Sequence, residues 1–475
     1  MHFGLGPIGT AVARQVATRR GFKVVGVISF LFLYSESGMV PRLIQVALGL
    51  DQVPFSLNGV WAILVVHGYT MYVFFYLFTS AALKGMDPSV EEAATNLGAS
   101  TLFRFRTITL PLLTPALVAS ALLVFMTSMN SFSAPYIFAG GFRVLSLGIY
   151  TSKLNGDMEM AVTQTVILSG FSLGFLFWMR YYEGRRKYAM SGKGVVAKRR
   201  EVKGRWLRFI IGAVGIIMVV ILLLPHMTIL LMSFVKDGSW TFQILPTQYT
   251  TENYGRLLQD PSVWEPIKNS INMAVLATIA DLVIGVTAAY LVVKGTFRGR
   301  RILDALVMVP WALPGTVVAI NLIVAFSKGT PFSFGQVLIG SFWLLPIAYF
   351  IRHLPIIFRA SSAVLEQLDD SLEEAARNLG AGAFYAFRRV TLPLIGPGVL
   401  AGTLLAFVIA LGEFVASILL YVYSNRPIAI EILSQLRQFN IGSAAAYGVL
   451  LLILVSAVLL GSNYITRGTA DRSLS

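Results

Sequence analysis

One stretch of 29 residues occurs twice in this chain. Residues 87–115 read DPSVEEAATNLGASTLFRFRTITLPLLTP and residues 369–397 read DDSLEEAARNLGAGAFYAFRRVTLPLIGP; they align without a gap at an offset of 282, with 17 of 29 positions identical. A chain with such a repeat is built of two homologous halves, so a fold that suits one half must suit the other. Each copy predicts a short helix standing ahead of an apolar span. In the first, Asp87 suits the N-cap, Pro88 the first helical position, and Glu91 and Glu92 the positive end of the helix dipole. In the second, Asp370 and Glu373 have the spacing of a capping box. Gly98 and Gly380 fall where the chain leaves the helix with positive φ. Ala93 and Ala94, like Ala375 and Ala376, leave a low surface on which another protein can lie close.

The chain has 475 residues, 56% of them hydrophobic and 13% charged, with a mean hydropathy of +0.72. Those values define a membrane protein. The net charge of +15 does not indicate nucleic acid, because the basic residues cluster between apolar runs, as in loops held on the cytoplasmic side of a bilayer. There is no cysteine, which excludes disulfides, thiol chemistry and cysteine-based metal sites. His2, His67, His226 and His353 are scattered and form no metal-ligand pattern; His67 lies in an apolar span, where a hydrogen bond to a neighbouring helix is expected. No Walker A loop is present, so the chain does not itself supply an ATP site of that kind.

Residues 1–28 stand apart. Gly4, Gly6 and Gly9 form G-x-G-x-x-G ahead of a helix-like stretch and a strand-like run over residues 22–28, which resembles the opening of a Rossmann dinucleotide-binding unit. Ser29 stands where such a unit has an acid for the ribose hydroxyls, and no second β-α unit follows to cover the sheet. The segment is expected to be a fragment without nucleotide-binding function. Spans of about 20 apolar residues are then expected at 22–34, which is short, and at 57–83, 110–138 and 161–180. Residues 29–184 form the first half, 185–205 a strongly basic linker, and 206–475 a second half with spans at 207–233, 270–294, 302–327, 338–358, 392–421 and 443–465. With the linker inside, alternate crossings put residues 294–301, both repeated helices and the carboxyl end inside, and the acid-containing stretch 236–269 outside. The halves are unequal: Trp61 aligns with Trp343, but the first two spans of the second half have no counterpart in the first. The first half is therefore expected to be truncated at its amino end.

Glu-Ala-Ala, a glycine a few residues on, and then Leu-Pro at the start of an apolar run together resemble the EAA loop of permease subunits in binding-protein-dependent ABC importers. The match occurs in both copies. The resemblance implies an all-α polytopic membrane protein with two homologous importer-permease halves in one chain, multi-pass in a bacterial or archaeal plasma membrane, its linker and carboxyl end cytoplasmic. It implies that Glu91, Glu92, Ala93 and Gly98, with Glu373, Glu374, Ala375 and Gly380, belong to coupling helices that dock on two cytoplasmic ABC ATPase subunits. An extracytoplasmic substrate-binding protein would be the other partner. ATP would be hydrolysed by the ATPase, with no catalytic residue, cofactor or metal held by this chain. The plainer reading is a pair of amphipathic connector helices left by duplication.

Among fused duplicate permeases the chain resembles the ferric iron group, with thiamine permeases close by, through the stretch that begins at Asn130 and through Leu411–Phe414, which reads LGEF. Sulfate or molybdate, phosphonate and polyamine are the alternative cargoes. Within the spans, ionisable residues are functional candidates because burying them in lipid costs about 2.5 to 3.5 kcal/mol. Glu413 and Ser417, with Asn130 and Ser131 at the related place in the first half, are the candidates for the translocation path; alternatively Glu413 is tied to a neighbouring helix. Asp281 is read as a helix-helix or pore-wall contact. Two other classes remain: a secondary transporter, which needs no capped loop helices, and a membrane-tethered oxidoreductase, which rests on the glycine pattern alone.

Overall fold

A computed structural model of the protein describes residues 23–185, 204–240 and 243–472. Regular structure among them is helical, apart from one antiparallel bridge between Val235 and Tyr249. The strand expected over residues 22–28 is not formed: α1 is a helix, Lys23–Tyr34. Its run of Val, Ile, Phe and Leu is as compatible with a buried helix as with a strand, and burial of Val25, Ile28 and Phe32 against the rest of the molecule decides in favour of the helix. The glycine pattern at Gly4, Gly6 and Gly9 lies outside the described residues.

In the first half, α1 is followed by α2 (Met39–Leu48), α3 (Gly59–Gly85), α4 (Pro88–Asn96), α5 (Thr101–Met129), α6 (Ser133–Phe138), α7 (Leu145–Leu154) and α8 (Met158–Arg185). The second half begins with α9 (Arg205–Met232), α10 (Glu252–Gln259) and α11 (Pro261–Val293). It continues through α12 (Arg300–Ala312), α13 (Gly315–Ala325), α14 (Leu344–Leu365) and α15 (Asp370–Asn378). It ends with α16 (Ala383–Leu411), α17 (Ser417–Leu420), α18 (Ile428–Arg437) and α19 (Ile441–Arg472). Among the described residues, eight helical stretches are long and apolar enough to cross a membrane, with α1 and α2 (Val25–Leu48) counted as one of them. Most of the basic linker, residues 186–203, lies outside the described residues.

Four expected spans differ from what forms, and one of them, 338–358, is helical only from Leu344, in α14, and is not among those eight. The stretch 302–327 is a bent pair, α12 and α13, meeting at 110°. Pro314 lacks an amide donor and biases Leu313 out of the helix, and a Cβ on Gly315 would lie 2.6 Å from Nη1 of Arg352, so the bend brings backbone against a guanidinium. The stretches 110–138 and 392–421 each end their long helix early, at Met129 and Leu411, and continue as short helices. Pro111 and Pro393 stand near the start of the apolar part of α5 and α16. Both lie inside continuous helices, just after one π turn, Phe105–Thr109 in α5 and Phe387–Thr391 in α16. The wide turn accommodates a proline that has no donor for the preceding turn.

The centre of the second half is α11, α14 and α16, packed through small residues. A Cβ on Gly285 would meet Ile357 at 3.3 Å, and one on Gly402 would meet Cβ of Ala360 at 2.5 Å; such contacts let helices approach closely where lipid gives no hydrophobic driving force. In the first half α3 and α5 also pair, but no described helix packs on α3 as α11 packs on α14. Ile357 and Phe358 are fully buried, whereas Phe75 and Tyr76, their equivalents, are 36% and 44% exposed. The halves are joined by a common apolar core running from Val25 and Phe132 to Phe414 and Val455, and by Tyr69, whose hydroxyl donates to the carbonyl of Leu222 at 2.6 Å.

Candidate coupling and translocation site

The repeated stretches fold alike. Asp87 accepts a hydrogen bond from the amide of Ser89 at 2.9 Å, and that bond holds its carboxyl below the usual range. In the second copy the cap is Asp369, which accepts from the Ser371 amide at 2.9 Å and is lowered for the same reason. The capping box expected from Asp370 and Glu373 does not form: Asp369, the counterpart of Asp87, caps, and Asp370 is the first helical residue, free to pair with Lys294 at the end of α11. Gly98 and Gly380 leave their helices with φ of +79° and +89°. In this left-handed region a Cβ is strained, and the turn closes by the bonds Ala99 N to Ala94 O and Ala381 N to Ala376 O, both 3.0 Å.

The first glutamate of each copy points back into the protein. Thr109 Oγ1 donates to Oε1 of Glu91 at 2.9 Å, and Thr391 Oγ1 donates to Oε1 of Glu373. The two threonines occupy the same place in the repeat, in the last position of each π turn. Glu373, 7% exposed, also accepts from the Tyr290 hydroxyl at 3.4 Å and faces Arg377 at 3.9 Å. The next residues face out: Glu92, Ala93, Glu374 and Ala375 are exposed. Beside them stand Leu97, 88% exposed, and Leu379, 90% exposed. Each repeat is thus a rigid capped helix, bolted to the long helix that follows it, with an apolar knob uncovered. The role of Thr109 and Thr391 is legible in the sequence as an identical threonine two residues ahead of proline in both copies.

The path candidates lie at the other end of α5 and α16. Glu413, 6% exposed, receives the Arg352 guanidinium on Oε1 together with the Ala416 amide at 3.0 Å, and His353 Nε2 lies 3.7 Å from Oε2. Ser417 Oγ donates to the carbonyl of Glu413 at 2.6 Å and shares a hydrogen bond of 2.7 Å with the Tyr349 hydroxyl. Glu413 is tied to α14, the plainer of the two readings. Arg352, an ionisable residue in the apolar run 338–358, is the partner that a search for acids passes over. Ser131, the positional equivalent of Glu413, bonds to His67 Nε2 at 2.9 Å, and Ser128 bonds to Nδ1 at 2.9 Å. His67 thus has the neighbouring-helix bonds expected of it. Asn130 Nδ2 donates across to the carbonyl of Ala312 at the bend between α12 and α13, 3.3 Å away, while its Oδ1 is buried with no hydrogen bond. Asp281, 1% exposed on α11, is buried with neither carboxylate oxygen hydrogen-bonded.

Two related bundles of apolar, membrane-length helices, each with a capped, exposed helix ahead of a long one, define a polytopic membrane subunit of two homologous halves. The sequence pattern of the binding-protein-dependent transport system inner membrane component matches residues 7–188 and 281–470, and the chain belongs to that family, the multi-pass inner-membrane permeases of ABC importers. The match runs through most of the segment read as Rossmann-like and gives no support to that resemblance. The chain is 31% identical over 412 residues to the probable ABC transporter permease protein y4fN of Sinorhizobium fredii, covering 86% of this chain and 72% of that one. It is 30% identical over 398 residues to the ferric transport system permease protein FbpB of Actinobacillus pleuropneumoniae, covering 83% and 57%. Against the molybdenum transport system permease protein ModB of Escherichia coli it is 36% identical over 168 residues, 34% of this chain and 73% of that one. The chain spans little more than half the length of the ferric permease it matches.

Proposed function

We propose that this chain is the transmembrane part of an ATP-driven importer of ferric iron. In this reading α4 and α15 lie in the cytoplasm and seat Leu97 and Leu379 in the ATPase subunits. ATPase closure then moves α5 and α16 through the Glu91–Thr109 and Glu373–Thr391 bonds. An extracytoplasmic binding protein delivers the cargo to the opposite face, and the two halves rock about a central path. The observation that carries the coupling role is the pair of equivalent Glu–Thr locks, because a loop helix that only connects spans has no need to be fixed to the next helix at the same atom in both halves. The basic linker and carboxyl end set the orientation by the excess of cationic residues on the cytoplasmic side. Residues 29–184, 185–205 and 206–475 serve as first half, linker and second half.

Iron is supported by the resemblance around Asn130 and Leu411–Phe414 together with the ferric permease among the relatives. A molybdate or sulfate cargo is favoured by the higher identity of the shorter match to ModB. The test is uptake by the chain reconstituted in liposomes with its ATPase and binding protein. ATP-dependent accumulation of labelled ferric iron, with molybdate and sulfate excluded, supports the proposal. Accumulation of an oxyanion in place of iron refutes the cargo, and failure of wild-type chain to bind any ABC ATPase refutes the coupling role.

A further inference from the structure

Phe132 and Phe414 are separated by 282 residues, the offset of the internal repeat, and they touch: their ring centroids are 6.1 Å apart with planes at 45°. In a molecule made of two related halves, a residue that meets its own counterpart lies on the axis relating them, as in a two-fold dimer. A path shared by both halves runs along that axis. Both rings are buried, at 1% and 2% exposure. Tyr136 lies 6.0 Å from Phe414 and Tyr150 lies 5.6 Å from Phe132, so four aromatic rings close around the axis. Arg437 of α18 stacks over Tyr136 at 5.6 Å and donates to the Tyr150 hydroxyl at 3.4 Å, so the second half holds the first-half side of the cluster as well.

The residue preceding each phenylalanine is anchored, Ser131 to His67 and Glu413 to Arg352. These anchors belong to α3 and α14, the helices that lead into the docking helices α4 and α15. The cluster sits at the far end of α5 and α16, roughly 40 Å from their starts by helical rise. We propose that Phe132 and Phe414, framed by Tyr136 and Tyr150, are the closed seal of the translocation path at the end remote from the docking helices. The two rings part when α3 and α14 carry their anchors away from each other. The inference rests on the permease reading. An apolar contact on the axis stops a hydrated ion because it offers no polar group to replace lost water, and it separates without leaving a charge unpaired.

The chain contains no cysteine, so Phe132→Cys with Phe414→Cys supplies the sole pair of thiols. The double variant is assembled with its ATPase and binding protein in liposomes and treated with a short bifunctional thiosulfonate. A protease site placed within residues 186–203 is then cut, so that a cross-link appears as two halves remaining together on a denaturing gel. The expected result is a high yield without nucleotide and a several-fold lower yield in the vanadate-trapped complex. Equal yields in the two states, or no cross-link in the resting state, overturn the proposal. As a second measure, Phe132→Leu with Phe414→Leu should raise ATP hydrolysis in the absence of binding protein several-fold and let external ions reach an entrapped ion-sensitive dye. An ion-tight complex with wild-type basal hydrolysis overturns the seal. Loss of ATPase binding by the wild-type chain would instead overturn the permease reading itself.

Discussion

Glu91 and Glu373 show how one side chain can look like an interaction surface and serve as an internal fastener. Both stand in a polar, exposed-looking helix, yet each accepts a hydrogen bond from a threonine 18 residues later. Thr391→Val keeps the shape and removes the donor from a buried carboxylate, a loss of about 1.5 to 3 kcal/mol for a hydrogen bond to a charged group. The expected outcome is a chain that folds but binds its ATPase more weakly, read as co-purification in detergent, with Thr109→Val, at a half-buried bond, causing less. Full binding by the Thr391 variant would show that the lock is not needed. Glu413→Gln leaves Arg352 in the interior without its carboxylate, and breaking one partner of a buried pair costs about 3 to 5 kcal/mol. Its melting temperature in detergent should fall and recover in part when Arg352→Gln is added; a single variant as stable as wild type would refute the pairing. The caps respond to pH in one direction only. Asp87 and Asp369 have lowered pKa values, so their contribution is present above the ordinary carboxylate value and is lost as pH falls through the folded value, well below neutrality.

The elements owe their ends and bends to a few residues that no other type replaces. Gly380 at φ +89° has open space around its missing Cβ, so the cost of a substitution there is backbone strain alone. Gly380→Val should misplace α15 and reduce ATPase co-purification while leaving expression intact, and unchanged assembly and transport would contradict the assignment. Gly402 is the opposite case, with ordinary φ and no space. Its added Cβ would lie 2.5 Å from Cβ of Ala360, an atom that no rotamer change can move. Gly402→Ala should therefore destabilise by about 1 to 3 kcal/mol through overpacking, and Ala360→Gly should restore the loss in the double variant. If the pair is simply additive, α14 and α16 are not held at this contact. The bend between α12 and α13 was invisible as a bend in the hydropathy of residues 302–327, because apolar content reports burial and says nothing of direction; Pro314 and Gly315 were its sole signals.

At the scale of the whole molecule the two halves are held by surfaces as well as by a linker. Cutting an inserted protease site within residues 186–203 should leave the halves co-eluting in mild detergent, since α1 packs on α9, Tyr69 reaches Leu222, and the aromatic cluster spans both. Separation on cutting would mean that the linker alone keeps them together. The sequence by itself determined that the protein is a helical membrane permease made of two related halves, and that each half carries a short capped helix ending at a glycine ahead of a long span. Those properties depend on local and periodic signals: caps, a left-handed glycine, apolar run length and the repeat itself. The tertiary structure alone decided that residues 23–34 are helix and not strand, that Asp370 pairs with Lys294, that Glu413 belongs to Arg352, and that Phe132 meets Phe414. Each of these is a choice among partners distant in the chain. Such a choice follows from which groups share an interior where an unpaired charge is costly and an unfilled space is destabilising, and residue order alone does not specify that company.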